Sequence, residues 1–222
     1  MTDTTPGLDP ITERLSTCYS GVVHDVMRAM GLANFILPRE ITPLMPEKTL
    51  CGPVFTIEGC SDETADPHQT LLDWTGLLSK AKPGHIWVSQ PHDDTIAQMG
   101  ELSAETLQRK GVLGCVLDGG ARDTHFLMDL GFQTWRRFHT PRDVVGRWRP
   151  TGFDVPVHIG DVLIQPGDYL LGDRDGMVRV PRALAAEVTE KSVEAMQTEN
   201  KVRTAILAGT DPQQAYLQYG KF

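Results

Sequence analysis

The chain has 222 residues, enough for one large domain that buries a core without disulfide bonds. Its 29 acidic and 21 basic residues give a formal net charge of −8. This charge argues against a general polyanion binder, because binding to phosphate backbones needs clustered Lys and Arg. No apolar stretch approaches the roughly 18 residues of a membrane helix, and the polar, acidic start MTDTTPGLDPITERL does not resemble a secretion signal. We therefore expect a cytoplasmic protein that binds neither nucleic acid nor membranes.

The first part of the chain alternates between helical and strand patterns. Apolar residues at helical spacing predict three helices, over residues 20–30, 68–81 and 95–110. Short β-rich segments predict strands at residues 51–57, 85–89 and 112–118. The last of these, VLGCVLD, is nearly continuous apolar sequence, which is typical of a central strand buried on both faces. A short helix, HFLMDLG, is predicted after it.

The second part changes to short β segments separated by Gly, Pro and Asp, which predict a meander of hairpins over residues 155–181. A long helix is predicted from about residue 182 to residue 208. It carries several glutamates, including Glu199, that its own packing does not need, and we expect it to pack on a neighbouring subunit. Four widely spaced cysteines without a C-x-x-C pair predict reduced, mostly buried thiols.

The segment Gly119-Gly120-Ala121-Arg122-Asp123 is the most informative in the sequence. Two glycines let the backbone turn tightly and approach a ligand, and an adjacent guanidinium and carboxylate are then presented together at a strand end. Arginine pairs with carboxylates and enolates, and aspartate binds hard cations. From this motif alone, the alternative is equally good: a surface arginine beside an aspartate that caps the following helix.

A second acidic residue, Glu101, precedes Arg122 by twenty intervening residues, which hold one helical run and one strand. A crossover of this length could return Glu101 to the Arg122-Asp123 turn. The seven histidines are scattered without metal-ligand spacing, which argues against a His-rich zinc or iron site. Arg142-Asp143 repeats the Arg-Asp pair without a glycine turn, and is interpreted as a structural ion pair or turn element.

In these motifs the chain resembles the 4-hydroxy-4-methyl-2-oxoglutarate / 4-carboxy-4-hydroxy-2-oxoadipate aldolases, relatives of the regulator of ribonuclease E activity A. The aldolase branch carries an acidic residue, twenty intervening residues and then Arg-Asp. Further similar segments, in order, are SGVVHDV, CGPV, TPRD and PGD. The resemblance implies a single-domain α/β fold, a layered α/β/β/α sandwich of the swivelling β/β/α type, over residues 11–222 after a flexible segment 1–10. It also implies a homotrimer or dimer of trimers with active sites at subunit interfaces.

Carried over by position, the resemblance implies that Asp123 binds Mg²⁺ or Mn²⁺ directly and that Glu101 acts through metal-bound water. Arg122 would contact the keto oxygen of the substrate, and Glu199 would reach the metal from an adjacent subunit. The substrate carboxylate would be received at the start of a helical turn by Gly100, Leu102 and Ser103. Position 101 is Glu where many members have Asp, and position 103 is Ser where Leu is common, so substrate preference could differ.

These residues predict a metal-dependent (class II) aldolase that cleaves a 4-hydroxy-2-keto acid or diacid to pyruvate. No lysine stands in the motif to form a Schiff base, so a cation would stabilise the enolate. Oxaloacetate decarboxylation generates the same enolate and is the expected side activity. Two alternatives are a regulator that binds a protein partner such as a ribonuclease, and a metal-dependent hydratase or decarboxylase of another 2-keto acid.

Overall fold

The computed structural model describes residues 7–221, in which helices and strands alternate along most of the chain. The helices are α1 (Pro10–Leu15), α2 (Ser20–Ala29), α3 (Pro67–Lys80), α4 (Glu101–Arg109), α5 (Thr124–Leu130), α6 (Ala185–Leu207, entered through a 3-10 turn at Arg182–Leu184) and α7 (Pro212–Tyr219). The strands are β1 (Thr42–Pro43), β2 (Leu50–Ser61), β3 (Ile86–Gln90), β4 (Ala97–Met99), β5 (Gly114–Leu117), β6 (Gly120–Ala121), β7 (Thr134–Arg136), β8 (Phe138–His139), β9 (Trp148–Phe153), β10 (Val157–Ile159), β11 (Val162–Ile164), β12 (Tyr169–Asp173) and β13 (Gly176–Val180).

Three sheets organise these strands. The largest has the order β1-β7-β5-β3-β2-β12-β13, with β9 paired to β2 as well. Its β2, β3, β5 and β7 run parallel, whereas β12, β13, β9 and β1 pair antiparallel with their neighbours. A parallel sheet of β4, β6 and β8 and a hairpin of β10 and β11 complete the β-structure. The predicted single-domain α/β fold is therefore confirmed, and so are the two hairpins of the second part.

Most elements predicted from periodicity are confirmed within a few residues, because their apolar faces are buried as the pattern requires. Helix α2 buries Val22, Val23 and Met27, and β5 is fully buried between β3 and β7. Helix α6 matches the helix predicted from about residue 182 to residue 208. Of the segment 1–10 that was expected to be flexible, residues 1–6 lie outside the described part. Pro10 already begins α1, whose first turn is capped by the Asp9 carboxylate.

The predicted helix over residues 95–110 is wrong in its first part. Ala97–Met99 form strand β4, and the helix begins only at Glu101. The three strand residues are buried and pair with β6, and Gly100 between the two elements is extended, with φ −144°. Pairing with a neighbouring strand overrode a sequence pattern that also fits a helix. This break places the start of α4 beside the end of β6.

Three apolar clusters hold the elements together. One lies under α3, α4 and α5, and its fully buried side chains include Phe55, Trp87, Leu107 and Trp148. The second joins α1, α2 and α6 to β12 and β13, and the third packs the β10–β11 hairpin on the large sheet. Three of the four cysteines are buried and all four are free thiols, as predicted. Among residues 7–221, no helix is both long and apolar enough to cross a bilayer.

Candidate active site

A cavity of about 490 Å³ lies where β4 and β6 end, between α3 and the first turn of α4. Its wall contains all the residues predicted for catalysis and substrate binding within one subunit: Gly100, Glu101, Leu102, Ser103, Arg122 and Asp123. The parallel pairing of β4 with β6 causes this convergence, because it aligns Met99 with Ala121. The Arg122 backbone N–H donates to the Met99 carbonyl at 2.8 Å, which joins the two turns directly.

Asp123 does not cap the helix that follows it. It occupies the N-cap position of α5 in a left-handed conformation, φ 53° and ψ 36°, but its side chain makes no capping hydrogen bond. Instead Oδ2 accepts from the backbone N–H of Glu101, at 3.2 Å, across the two turns. The alternative interpretation of Asp123 as a helix cap is therefore wrong. A non-glycine residue in this conformation costs free energy that is often offset by function.

Gly100 is required by the close approach of the Arg122-Asp123 turn. A Cβ at position 100 would lie 2.6 Å from Oδ2 of Asp123 and 3.1 Å from Cγ and Nε of Arg122. The backbone at Gly100 is extended, a conformation open to any residue. The need for glycine here is a need for space beside the Arg122 and Asp123 side chains.

Arg122 lies between two carboxylates. Its Nε is 3.5 Å from Oδ2 of Asp123, and its Nη1 is 3.4 Å from Oδ2 of Asp143. Asp143 also lines the cavity. The sequence interpretation of Arg142-Asp143 as a structural ion pair or turn element agrees with these contacts, because Asp143 pairs with Arg122 and also accepts from the Val145 N–H in its own turn. It did not place Asp143 in the cavity wall, because Arg122 lies twenty-one residues away. The only sequence signal was the repeated Arg-Asp pair itself.

Ser103 is held by a neighbouring aromatic side chain. The indole Nε1 of Trp74, in α3, donates to the Ser103 Oγ at 3.0 Å. Trp74 is only 7% exposed, so the bond anchors the first turn of α4 to the buried part of the cavity wall. Ser103 provides a hydroxyl in a cavity whose wall also contains the apolar side chains of Leu78 and Val144.

The charge of the cavity wall is negative. Its ionisable side chains are Glu101, Arg122, Asp123 and Asp143, which sum to −2 when all are ionised. An anionic keto acid would be repelled from such a wall unless a cation bound with it. The wall therefore suits a divalent cation that is held together with an anionic ligand.

The cavity wall contains carboxylates that could contribute to a cation site. Within residues 7–221, no group of three or more His, Cys, Asp or Glu side chains is arranged to hold a metal ion. Zinc sites use three or four such ligands, whereas Mg²⁺ keeps several waters and binds through one or two carboxylates and its substrate. Asp123 and Glu101 fit the second pattern, because both line the cavity and Asp123 is not used as a helix cap.

Glu199 lies elsewhere in its own subunit. It lines a separate cavity between α2 and α6, where it pairs with Lys221 at 2.8 Å and accepts from the Tyr19 hydroxyl. Burial, together with the hydrogen bond and charge of Glu199, raises the pKa of Tyr19 to about 12. The contact predicted between Glu199 and the metal of an adjacent subunit stays a prediction.

Fold and site together define a mixed α/β protein with a small, acidic cavity at strand ends, whose wall contains one arginine and three carboxylates. The chain belongs to the RraA-like family, because the family model described as Aldolase/RraA matches residues 20–179.

Individual relatives agree with this family. The chain is 27% identical over 207 residues to a Halalkalibacterium halodurans protein named "Putative 4-hydroxy-4-methyl-2-oxoglutarate aldolase", covering 91% of this chain and 90% of that protein. Protein DlpA of Legionella pneumophila is 25% identical over 98% of this chain, which spans only 34% of DlpA. The Streptomyces coelicolor protein RraAS2, described as an unusual member of the RNase ES inhibitor RraA family, superposes with a TM-score of 0.77 and 27% identity, covering 89% of this chain and 99% of that structure.

Proposed function

We propose that this chain is a divalent-metal-dependent lyase that cleaves a 4-hydroxy-2-keto acid or diacid to pyruvate and a second carbonyl compound, with oxaloacetate decarboxylation as a side activity. The observation that carries the proposal is the convergence of Arg122, Asp123 and the first turn of α4 on one acidic cavity. The name of the H. halodurans relative points to the same class of reaction. The cavity volume, about 490 Å³, falls in the range of small-molecule sites.

The chain offers two groups for the anionic end of such a substrate. Backbone N–H groups in the first turn of a helix have no partner within the helix and favour anions. In α4 these belong to Leu102 and Ser103, which border the cavity. Arg122 offers guanidinium N–H groups to the keto oxygen, where negative charge develops as the C3–C4 bond breaks. Both interactions orient the bond to be cleaved.

Asp123 and Glu101 would hold Mg²⁺ or Mn²⁺, Asp123 directly and Glu101 through water. A cation bound there would act as a Lewis acid that stabilises the enolate of pyruvate. Glu101 is half-buried at the cavity wall. We assign it the orientation of the water that accepts the C4 hydroxyl proton and later returns a proton to C3.

A coupled assay tests this function. Pyruvate release from oxaloacetate and a panel of 4-hydroxy-2-keto acids is followed with lactate dehydrogenase, with and without EDTA. We expect release that EDTA stops and Mg²⁺ or Mn²⁺ restores. Arg122→Ala and Asp123→Ala should abolish it, whereas Arg142→Ala, which changes an exposed arginine outside the cavity wall, should not. Absence of metal-dependent pyruvate from every substrate would refute the proposal.

Glu199 and the assembly are tested separately. We propose that the chain forms a homotrimer or a dimer of trimers, in which α6 packs on a neighbour and Glu199 reaches that neighbour's metal. Light scattering of the purified protein gives the mass of the assembly. A monomer would contradict both proposals, because in one subunit Glu199 lies in a different cavity from Asp123.

The likeness to RraAS2 favours one rival function, a regulator that binds a ribonuclease. The acidic residue at position 101, which the resemblance implies is typical of the aldolase branch, supports the lyase over the regulator. Inhibition of a ribonuclease by the Arg122→Ala variant, together with no lyase activity in the wild-type chain, would favour the regulator. Metal-dependent turnover of 2-keto acids that lack the 4-hydroxyl group, without cleavage of any 4-hydroxy-2-keto acid, would favour the hydratase or decarboxylase instead.

A further inference from the structure

We propose that Asp143 is a positioning residue of this site: it holds the Nη1 end of the Arg122 guanidinium, which would otherwise pair with Asp123 alone, so that Arg122 faces the substrate anion while Asp123 engages the cation. The inference rests on the proposed function and adds a residue that the Glu101, Arg122 and Asp123 motif does not contain. It is carried by the geometry of the two carboxylates around one arginine.

The two carboxylates contact different nitrogens of Arg122. Asp123 approaches Nε at 3.5 Å, and Asp143 approaches Nη1 at 3.4 Å. The three side chains are each a little over a third exposed and share one cavity wall. Arg122 is therefore held from two sides, by a carboxylate assigned to the cation and by one that has no other assigned role.

The Asp143 carboxylate is held in place by the backbone of its own loop. Its Oδ1 accepts from the Val145 N–H at 3.1 Å, which leaves Oδ2 for Arg122. The loop around it is tied to β4, because the Ala97 N–H donates to the Arg142 carbonyl at 2.7 Å. Val144, next in sequence, is buried in the core cluster under α3. The position of the carboxylate is thus determined by elements on two sides of the cavity.

Loss of Asp143 would change which partner Arg122 takes. Among the ion pairs of residues 7–221, Asp123 would then be the remaining carboxylate within reach of the guanidinium. The arginine and the cation would compete for the same oxygens, and the guanidinium would leave the position that receives the substrate. This predicts weaker anion binding after removal of a negative charge. Electrostatic repulsion alone predicts the reverse, because fewer negative charges should strengthen anion binding.

The test is whether removal of the Asp143 carboxylate weakens or strengthens anion binding. Oxalate, a planar dianion that resembles the pyruvate enolate, is titrated by calorimetry into the protein with saturating Mg²⁺. We expect Asp143→Ala to weaken oxalate binding roughly three- to tenfold. Asp143→Asn should weaken it by no more than that, because its single amide oxygen accepts from Val145 or from Arg122, whereas the carboxylate accepts from both. Asp129→Ala, which removes an exposed carboxylate of α5 outside the cavity, is the matched control and should bind as the wild type.

A double-mutant cycle isolates the pair. In the Arg122→Ala background, the further change Asp143→Ala should have no weakening effect, or should strengthen oxalate binding by removing repulsion. Equal weakening in both backgrounds would show that Asp143 acts on the ligand or cation rather than through Arg122, and unchanged or stronger binding in the single variant would refute the role. Failure of the wild-type protein to bind oxalate with Mg²⁺ would contradict the proposed function itself, and the inference with it.

Discussion

The substitution Gly100→Ala should lower the activity of the protein without lowering its stability. The new methyl carbon would lie 2.6 Å from Oδ2 of Asp123, and an ordinary contact begins near 3.4 Å, so the carboxylate would have to retreat by about 0.8 Å. It would then lose its hydrogen bond from the Glu101 N–H. A misplacement of this size at a reacting centre costs roughly 100-fold in rate. We therefore expect kcat/KM for pyruvate release to fall by about 10- to 100-fold.

The fold should tolerate the same change. Gly100 is extended, so alanine fits the backbone, and the clashing atoms belong to side chains that are able to move. Loss of glycine also lowers the entropy of the unfolded chain, which stabilises by roughly 0.4–1 kcal/mol where there is no strain. The measurements are the coupled pyruvate assay and urea unfolding. The matched control is Gly76→Ala in α3, where a Cβ meets nothing within 4 Å. Full activity in folded Gly100→Ala protein would refute the argument that space at this glycine sets the position of Asp123.

Three further predictions concern stability and reactivity. Ser103→Ala leaves the buried Trp74 N–H without its acceptor and should lower the free energy of unfolding by about 1–3 kcal/mol, measured in urea. Burial, and then the charge of Arg136, lowers the pKa of His139. As pH drops through about 6.5, His139 is therefore protonated first in the unfolded state, and the free energy of unfolding should fall. A His139→Gln variant should lose part of this pH dependence, and an unchanged pH dependence would contradict the assignment to His139. Cys115 is fully buried, which raises its thiol pKa to about 12, and should react with a thiol reagent only after denaturation; labelling of its peptide in the native protein, read by mass spectrometry, would disprove this.

The periodicity of apolar residues predicted the helices and strands whose buried faces follow the sequence pattern. The run VLGCVLD became the buried β5, and the spacing of Val22, Val23 and Met27 became the inner face of α2. In both cases the pattern indicates which side chains face the core, and those side chains are buried in the structure. Strand β4 was missed because Ala97–Met99 also fit a helical pattern. The decisive contact, pairing with β6, joins residues more than twenty positions apart in the sequence.

The residues of the candidate site also fall into those that the sequence pattern predicted and those whose position depends on tertiary packing. Glu101, Arg122 and Asp123 were predicted because their spacing is a linear feature of the chain, and the crossover between them brings them to one cavity wall. Asp143 was assigned to a different role because its contact with Arg122 depends on where the loop after β8 packs. Likewise, the alternative of Asp123 as a helix cap was settled only by the direction of its side chain, which no pattern of residue types contains.

The length of β2 has a consequence for how the protein folds. This single strand pairs with β3 along its middle, with β12 at its start and with β9 at its end. Two of these partners lie about a hundred residues further along the chain, so much of the large sheet closes only after the polypeptide has been synthesised beyond β12. Contacts of such sequence separation slow folding. We expect the amide protons of β2 to exchange with solvent only through global unfolding, and fragments that end before β12 to leave its first residues without a sheet partner on that side.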